Sequence, residues 1–253
     1  LAPDLVDDAC RAAFLCKADL TTDMVGEFPS LQGVMGSSYA RNDGENEVVA
    51  TAILEHYMPL RSGAELPGSE QGTLVAMADR IDTIAGRFGI GQSATGTADP
   101  FGLRRLSLAL LHLIEDRSYS FDLPAVFSKA LALYGDRVDG SAETVERIVQ
   151  FVQGRFINDC VRQGMEQSAV EAVVSVEFID VIDCVKKIKA FEGIRHDQSF
   201  DLLAGSFKRI RNIIKDHRDT DVNSALLQEN AEKALFSTYE KLDEIGVEKL
   251  DAA

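Results

Sequence analysis

Apolar residues return every three or four positions along nearly the whole chain and almost nowhere alternate, so the sequence predicts helices rather than strands. Val6, Ala9, Cys10, Ala13 and Phe14 mark a helix over 6–20, with Asp4 after Pro3 as its N-cap. Gly26, Pro29, Gly33 and Gly36 then break the chain into short helices and turns. Val49, Ala52, Ile53 and His56 share a face over 45–57, and Leu74, Met77, Ile81, Ile84 and Phe88 form a stripe over 70–88. A connector rich in Gly, Ser and Thr over 89–100 leads to a helix over 100–116, with Pro100 in its first turn. Leu103, Leu106, Leu110, Leu113 and Ile114 make the inward side of that helix. The connector lacks both the G-K-[ST] and the preceding strand of a phosphate-binding loop.

In the second half the same period predicts helices over 124–134, 142–164, 167–176, 177–191, 197–215 and 224–245. Val173-Val174-Ser175-Val176 alone is β-branched enough to suggest a strand. The pattern changes over 116–123, which predicts a boundary between a domain of residues 1–120 and one of residues 121–253. The fold class is all-α, in two helical layers.

With 253 residues and 45% hydrophobic content, a sizeable core can form. No apolar run reaches the roughly 20 residues that span a bilayer, and no basic-then-apolar leader opens the chain, so a cytoplasmic location is expected. Cys10, Cys16, Cys160 and Cys184 form no C-x-x-C pair and read as free, buried thiols. The net charge of −15 is spread evenly: residues 1–120 hold 17 acids and 9 bases, and the rest 24 and 17. Such a chain is no general DNA or RNA binder, and any RNA contact must use a local basic patch. That patch is 203–215, which carries Lys208, Arg209, Arg211 and Lys215 and no acid. On a helix Leu203, Phe207, Ile210 and Ile214 would turn inward, and Lys208, Arg211 and Lys215 would line the opposite side. The ridge fits phosphates; it fits equally a solvated face, or ion pairs to Asp201 and Asp216. Arg104 and Arg105 point about 100° apart on a helix, so one of the two faces outward.

Five segments in this order carry a resemblance: Lys17-Ala18-Asp19-Leu20, Met24 to Gly36, Glu55-His56-Tyr57-Met58-Pro59, Ala78 to Thr83, and Phe88 to Arg105. Together they resemble the β subunit of the bacterial, tetrameric type of glycyl-tRNA synthetase. The family is much longer than this chain, so an internal-to-C-terminal piece is expected. The first half is also similar to the HD superfamily of phosphohydrolases, which hold metal through a His, a His-Asp pair and a later Asp. Here the pair reads Ala18-Asp19 and no histidine precedes His56, leaving Asp19, His56, Asp79 and Asp82 as degenerate positions. The bland alternative makes His56 a hydrogen-bonded core residue and pairs Asp79 and Asp82 with Arg80 or Arg87.

The resemblance implies an HD-like helical domain, then a helical-bundle anticodon-binding (DALR-like) domain similar to that of arginyl-type synthetases. Phe207 to Ile213 is its best-matching part, with Arg209, Arg211 and Asn212 as candidates to read splayed-out bases. Arg104 and Arg105 would reach an acceptor stem or form an interdomain salt bridge. The partners implied are the α subunit and glycine tRNA. ATP and Mg2+ belong to the whole enzyme, on the α subunit, and neither a catalytic residue nor a metal is expected here. Two other readings are a metal-dependent HD-type nucleotide phosphohydrolase and a purely structural subunit-docking module.

Overall fold

The computed structural model describes residues 3–61, 63–94, 99–195, 198–215 and 222–251, and among these every regular element is helical. The helices are α1 (Pro3–Leu15), α2 (Asp23–Glu27), α3 (Val34–Asn42), α4 (Glu47–Glu55), α5 (Glu70–Gly89) and α6 (Leu103–Arg117). They continue as α7 (Leu123–Ala132), α8 (Ala142–Arg162), α9 (Gln167–Val174), α10 (Val181–Arg195), α11 (Gln198–Ile214) and α12 (Asn230–Asp251). Val173 and Val174 close α9, and the β-branched run forms no strand.

Helix starts are set by side-chain acceptors. Asn46, Ser69, Asp122 and Ser141 take the orphan N–H groups of Val49, Gly72, Ala125 and Thr144, each cap contributing about 1 kcal/mol. Asp99 does the same for α6, accepting from Leu103 N at 2.7 Å and Arg104 N at 3.0 Å. Pro100 therefore stands in the turn before the helix and not inside it, while Gly102 takes the left-handed conformation (φ 65°) between them. Of the connector, residues 95–98 lie outside the described residues. Helix α1 starts at Pro3, so Asp4 is already helical; α10 starts four residues later than expected, because Asp180 Oδ1 accepts from Asp183 N and caps it there.

Two cores fill residues 1–196. The smaller, from α1, α3, α4 and α5, is built of Ala12, Ala40, Val49, Ala50, Ala52, Ile53 and Val75; small residues let these helices approach closely. The larger runs through α5 to α10 on Leu110, Leu113, Phe127, Ile148, Phe156 and Ile188. Helix α5 serves both, through Val75 in one and Ala76, Ile84 and Phe88 in the other. The large core continues across residue 120: Leu113 and Ile114 of α6 share it with Leu123 and Phe127 of α7. By compactness the chain splits into residues 1–196 and residues 197–253. Cys16, Cys160 and Cys184 are buried free thiols, whereas Cys10 is exposed; burial pushes the Cys160 thiol up to about 12.

Residues 197–253 form a separate unit whose described helices are α11 and α12. Leu203, Phe207, Ile210 and Ile214 are all exposed, Phe207 by 63%. Periodicity reports which side of a helix is apolar, and it carries no information about what lies over that side.

Candidate functional site

Asp19, in the 3-10 turn Ala18–Thr21, is 1% exposed. Its Oδ2 accepts from Gly33 N at 2.6 Å and Gly36 N at 3.1 Å, which ties the turn to the start of α3. An added Cβ at Gly36 would sit 3.1 Å from that oxygen, a tight contact that glycine avoids. His56 closes α4 and is fully buried against the Tyr57 ring, centroids 3.8 Å apart. Its Nδ1 lies 2.6 Å from the Ile53 carbonyl, which only accepts, so Nδ1 carries the proton. Burial lowers the imidazole to about 4, and the ring is neutral at pH 7. Beside it Arg80, 3% exposed, donates to the carbonyls of His56, Ala76, Tyr57 and Met58 at 2.8–3.2 Å.

Neither Asp79 nor Asp82 takes an arginine partner. Asp79 pairs with Lys17 Nζ at 3.0 Å, and that ammonium also lies 4.4 Å from the centre of the Tyr57 ring. Asp82 accepts from the Tyr134 hydroxyl at 2.7 Å, which joins α5 to the end of α7. Arg87 instead contacts Gln92 and the Phe101 ring.

This donor set does not fit a metal. One oxygen of Asp19 is committed to two amides and the other is buried without a hydrogen-bond partner, Asp79 is held by a lysine, and the histidine offers only a buried Nε2. Among the described residues no three His, Cys, Asp or Glu groups converge. What the cluster does is structural: Asp19 and Arg80 satisfy backbone groups that the turn and the end of α4 leave open.

A second cluster forms where α6 meets α8. Arg104, Arg105 and Leu108 face Arg155, Asn158, Asp159 and Arg162 across a groove of about 430 Å³. On α8, residues 155, 158/159 and 162 recur at i, i+3/i+4 and i+7, so one helix face delivers them all. Asp159 is the only acid in the lining, and it is 5% exposed. It accepts from His112 Nε2 at 2.8 Å, Arg162 at 2.6 Å and Gln163 at 2.7 Å. Burial pushes its carboxyl up, but these three donors outweigh burial and hold it below the usual carboxylate range. Arg155 has its Nε buried without a hydrogen-bond partner. The i, i+3, i+7 spacing on α8 is visible in the sequence; its meeting with Arg104 and Arg105 is not.

The α11 residues form the third cluster. Lys208, Arg209, Arg211, Asn212 and Lys215 are all exposed. Lys215 has φ 48° and stands just past the helix end, its N–H donating to the Arg211 carbonyl at 2.9 Å, so the helical ridge consists of Lys208 and Arg211. Of the acids considered as partners, the Asp201 side chain and all of Asp216 lie outside the described residues.

A family model described as glycyl-tRNA synthetase beta subunit matches residues 1–175, running through residue 120 without a break. The glycine–tRNA ligase beta subunit of Syntrophotalea carbinolica is 44% identical over 241 residues, covering 95% of this chain and 35% of that protein. The corresponding protein of Geobacter sulfurreducens is 42% identical over 243 residues, 96% of this chain and 35% of its own length. That of Syntrophus aciditrophicus is 39% identical over 237 residues, 93% and 34% respectively. The chain thus spans about a third of the length of the curated relatives it matches.

Proposed function

We infer the function from kinship: the chain belongs to the glycyl-tRNA synthetase beta subunit family, and we propose that it is the part of a glycine–tRNA ligase that holds glycine tRNA. A separate α subunit would carry out the ATP-dependent aminoacylation, with ATP and Mg2+ bound there, in the cytoplasm. No helix among the described residues is long and apolar enough to cross a membrane. This chain's share of the rate enhancement is positional, since holding one reactant in place removes an entropic part of the barrier.

The observation that carries the reading is the exposed basic side of α11 on a chain of net charge −15. An acidic body can grip a polyanion only where its repulsion is locally reversed, and 203–215 is such a place. Lys208 and Arg211 would hold phosphates; Arg209, Arg211 and Asn212 would stack on or pair with splayed-out bases. The commitments of Asp19 and Asp79 to amides and to Lys17 speak against metal-dependent phosphohydrolysis.

Fluorescence anisotropy of the chain with labelled glycine tRNA tests this. Lys208→Glu with Arg211→Glu is expected to weaken binding at least tenfold and to flatten the salt dependence by about one to two contacts. Both residues are exposed, so the melting temperature should not move. Unchanged affinity overturns the reading.

A further inference from the structure

We propose that the cleft between α1, the Ala18–Thr21 turn and α3 binds a primary ammonium on an alkyl stem, which donates to Asp19 Oδ1. The ligand is either a small free amine or the lysine side chain of another protein, two sources with one chemistry. The proposal uses none of the α11 residues and is independent of the tRNA-holding reading. The cleft measures about 540 Å³, and Asp19 is part of its lining. That side chain is 1% exposed, its Oδ2 is filled by the amides of Gly33 and Gly36, and its Oδ1 is buried without a hydrogen-bond partner. A buried carboxyl oxygen that lacks a donor costs free energy, and a ligand that supplies the donor recovers it.

Two donors of the lining are engaged elsewhere. Thr22 Oγ1 donates to the Asp19 carbonyl at 2.7 Å. Arg11, the one base in the lining, is spent on Glu45, to which its Nε donates at 3.0 Å. Of the three acids in the cleft, Asp19 and Asp43 therefore have no basic partner among the described residues, and the cleft calls for a cation. A metal ion does not suit it, because among the described residues no three His, Cys, Asp or Glu groups converge. A guanidinium fork wants both oxygens of a carboxyl, and Oδ2 is already taken. A quaternary ammonium has no N–H to give. A primary ammonium concentrates three donors at one point, and Leu15, Ala40 and Ile53 of the same lining suit its alkyl stem.

The test follows the amide NMR signals of the isotope-labelled chain during titration with butylamine, butylguanidine, tetramethylammonium and a short end-blocked peptide with one lysine. Butylamine is expected to bind saturably and to shift the Gly33 and Gly36 amides, which share the Asp19 carboxyl. Affinity for butylguanidine and for tetramethylammonium should be lower by tenfold or more. Asp19→Asn should lose tenfold or more of the butylamine affinity. Because Asp19 also ties its turn to α3, Asp43→Lys at an exposed position gives a second measurement, with a loss in the same direction and an unchanged melting temperature. Peptide bound more tightly than butylamine identifies a partner's lysine as the source, and the reverse identifies a free amine; both uphold the ammonium site. No saturable binding of butylamine or of the peptide at millimolar concentration overturns the proposal. Saturation that leaves Gly33 and Gly36 unmoved, equal affinity for butylguanidine, or unchanged binding in both variants overturns it as well. Each of these failures leaves the α11 test of the tRNA reading untouched.

Discussion

At the Asp19–His56–Arg80 cluster most polar contacts come from inside the chain, from amides, carbonyls or a single lysine, while Asp19 Oδ1, His56 Nε2 and Arg80 Nε are buried without a hydrogen-bond partner. At the α6/α8 groove four arginines face a cavity with one acid among them. Both clusters lie in residues 1–196, and both join helices. The contrast is between polar groups tied mostly to backbone and basic groups gathered along a groove. In the first cluster, removing a side chain strands a buried backbone group; in the second, no backbone carbonyl is held by Arg155, so stability should respond more strongly at the first place.

The largest effect is expected at Arg80. Replacing it with Met leaves the carbonyls of His56, Tyr57 and Met58 buried without donors. Stranded groups of this kind cost about 1–3 kcal/mol each before relaxation, so a loss of about 3–5 kcal/mol is expected in urea denaturation. Arg155→Gln should stay within about 1 kcal/mol of wild type. Equal losses at the two sites would erase the contrast.

Acid should reach the sealed cluster through His56. The native state holds His56 near 4 through burial, against 6.5 for the exposed imidazole. A depressed histidine favours the neutral form, so its stabilisation is whole above pH 6.5 and fades as pH falls towards 4, where it is gone. The full difference is about 3 kcal/mol. His56→Asn cannot titrate in this range, so its stability should fall less than wild type between pH 7 and 4.5. Parallel curves would mean that the imidazole is solvated after all.

The helices were legible because burial in this fold follows one period: the stripes on α5, α6 and α8 are the faces that enter the large core. Less legible was anything set by contact between elements. The change of pattern near residue 120 reflects the loop between α6 and α7, yet Leu113 and Phe127 bury in one core across it. Around Asp19 the sequence showed only that the neighbouring alanine cannot coordinate a metal. That Lys17 holds Asp79 and Tyr134 holds Asp82 needed the fold. The groove was half visible as Arg104 and Arg105, and its other wall stands about fifty residues later. On α11 the amphipathic period was correct, and its apolar side chains Leu203, Phe207, Ile210 and Ile214 are exposed.

Asp19→Ala comes next in size. It strands the amides of Gly33 and Gly36, two donors to one charged oxygen, and about 2–3 kcal/mol should be lost. Asp19→Asn should recover part of this, because an amide oxygen still accepts. Hydrogen exchange at Gly33 and Gly36 gives the local reading: both should be protected in wild type and fast in the alanine variant.

The smallest effect is expected at the Lys17–Asp79 pair. Lys17 and Asp79 lie 3.0 Å apart with side chains 42% and 25% exposed. A pair so open to water is worth up to about 1 kcal/mol, and the ammonium's place over Tyr57 adds a similar amount at most. A double-mutant cycle on Lys17→Met and Asp79→Asn should give a coupling under about 1 kcal/mol that shrinks in high salt. Freeing Asp79 in this way should not create a Mn2+ site, because Asp19 stays tied to its two amides; titration calorimetry of Lys17→Met with Mn2+ should show no saturable heat. A coupling of several kcal/mol would place the pair among the sealed groups, and metal uptake would show that Asp19 gives up its amides readily.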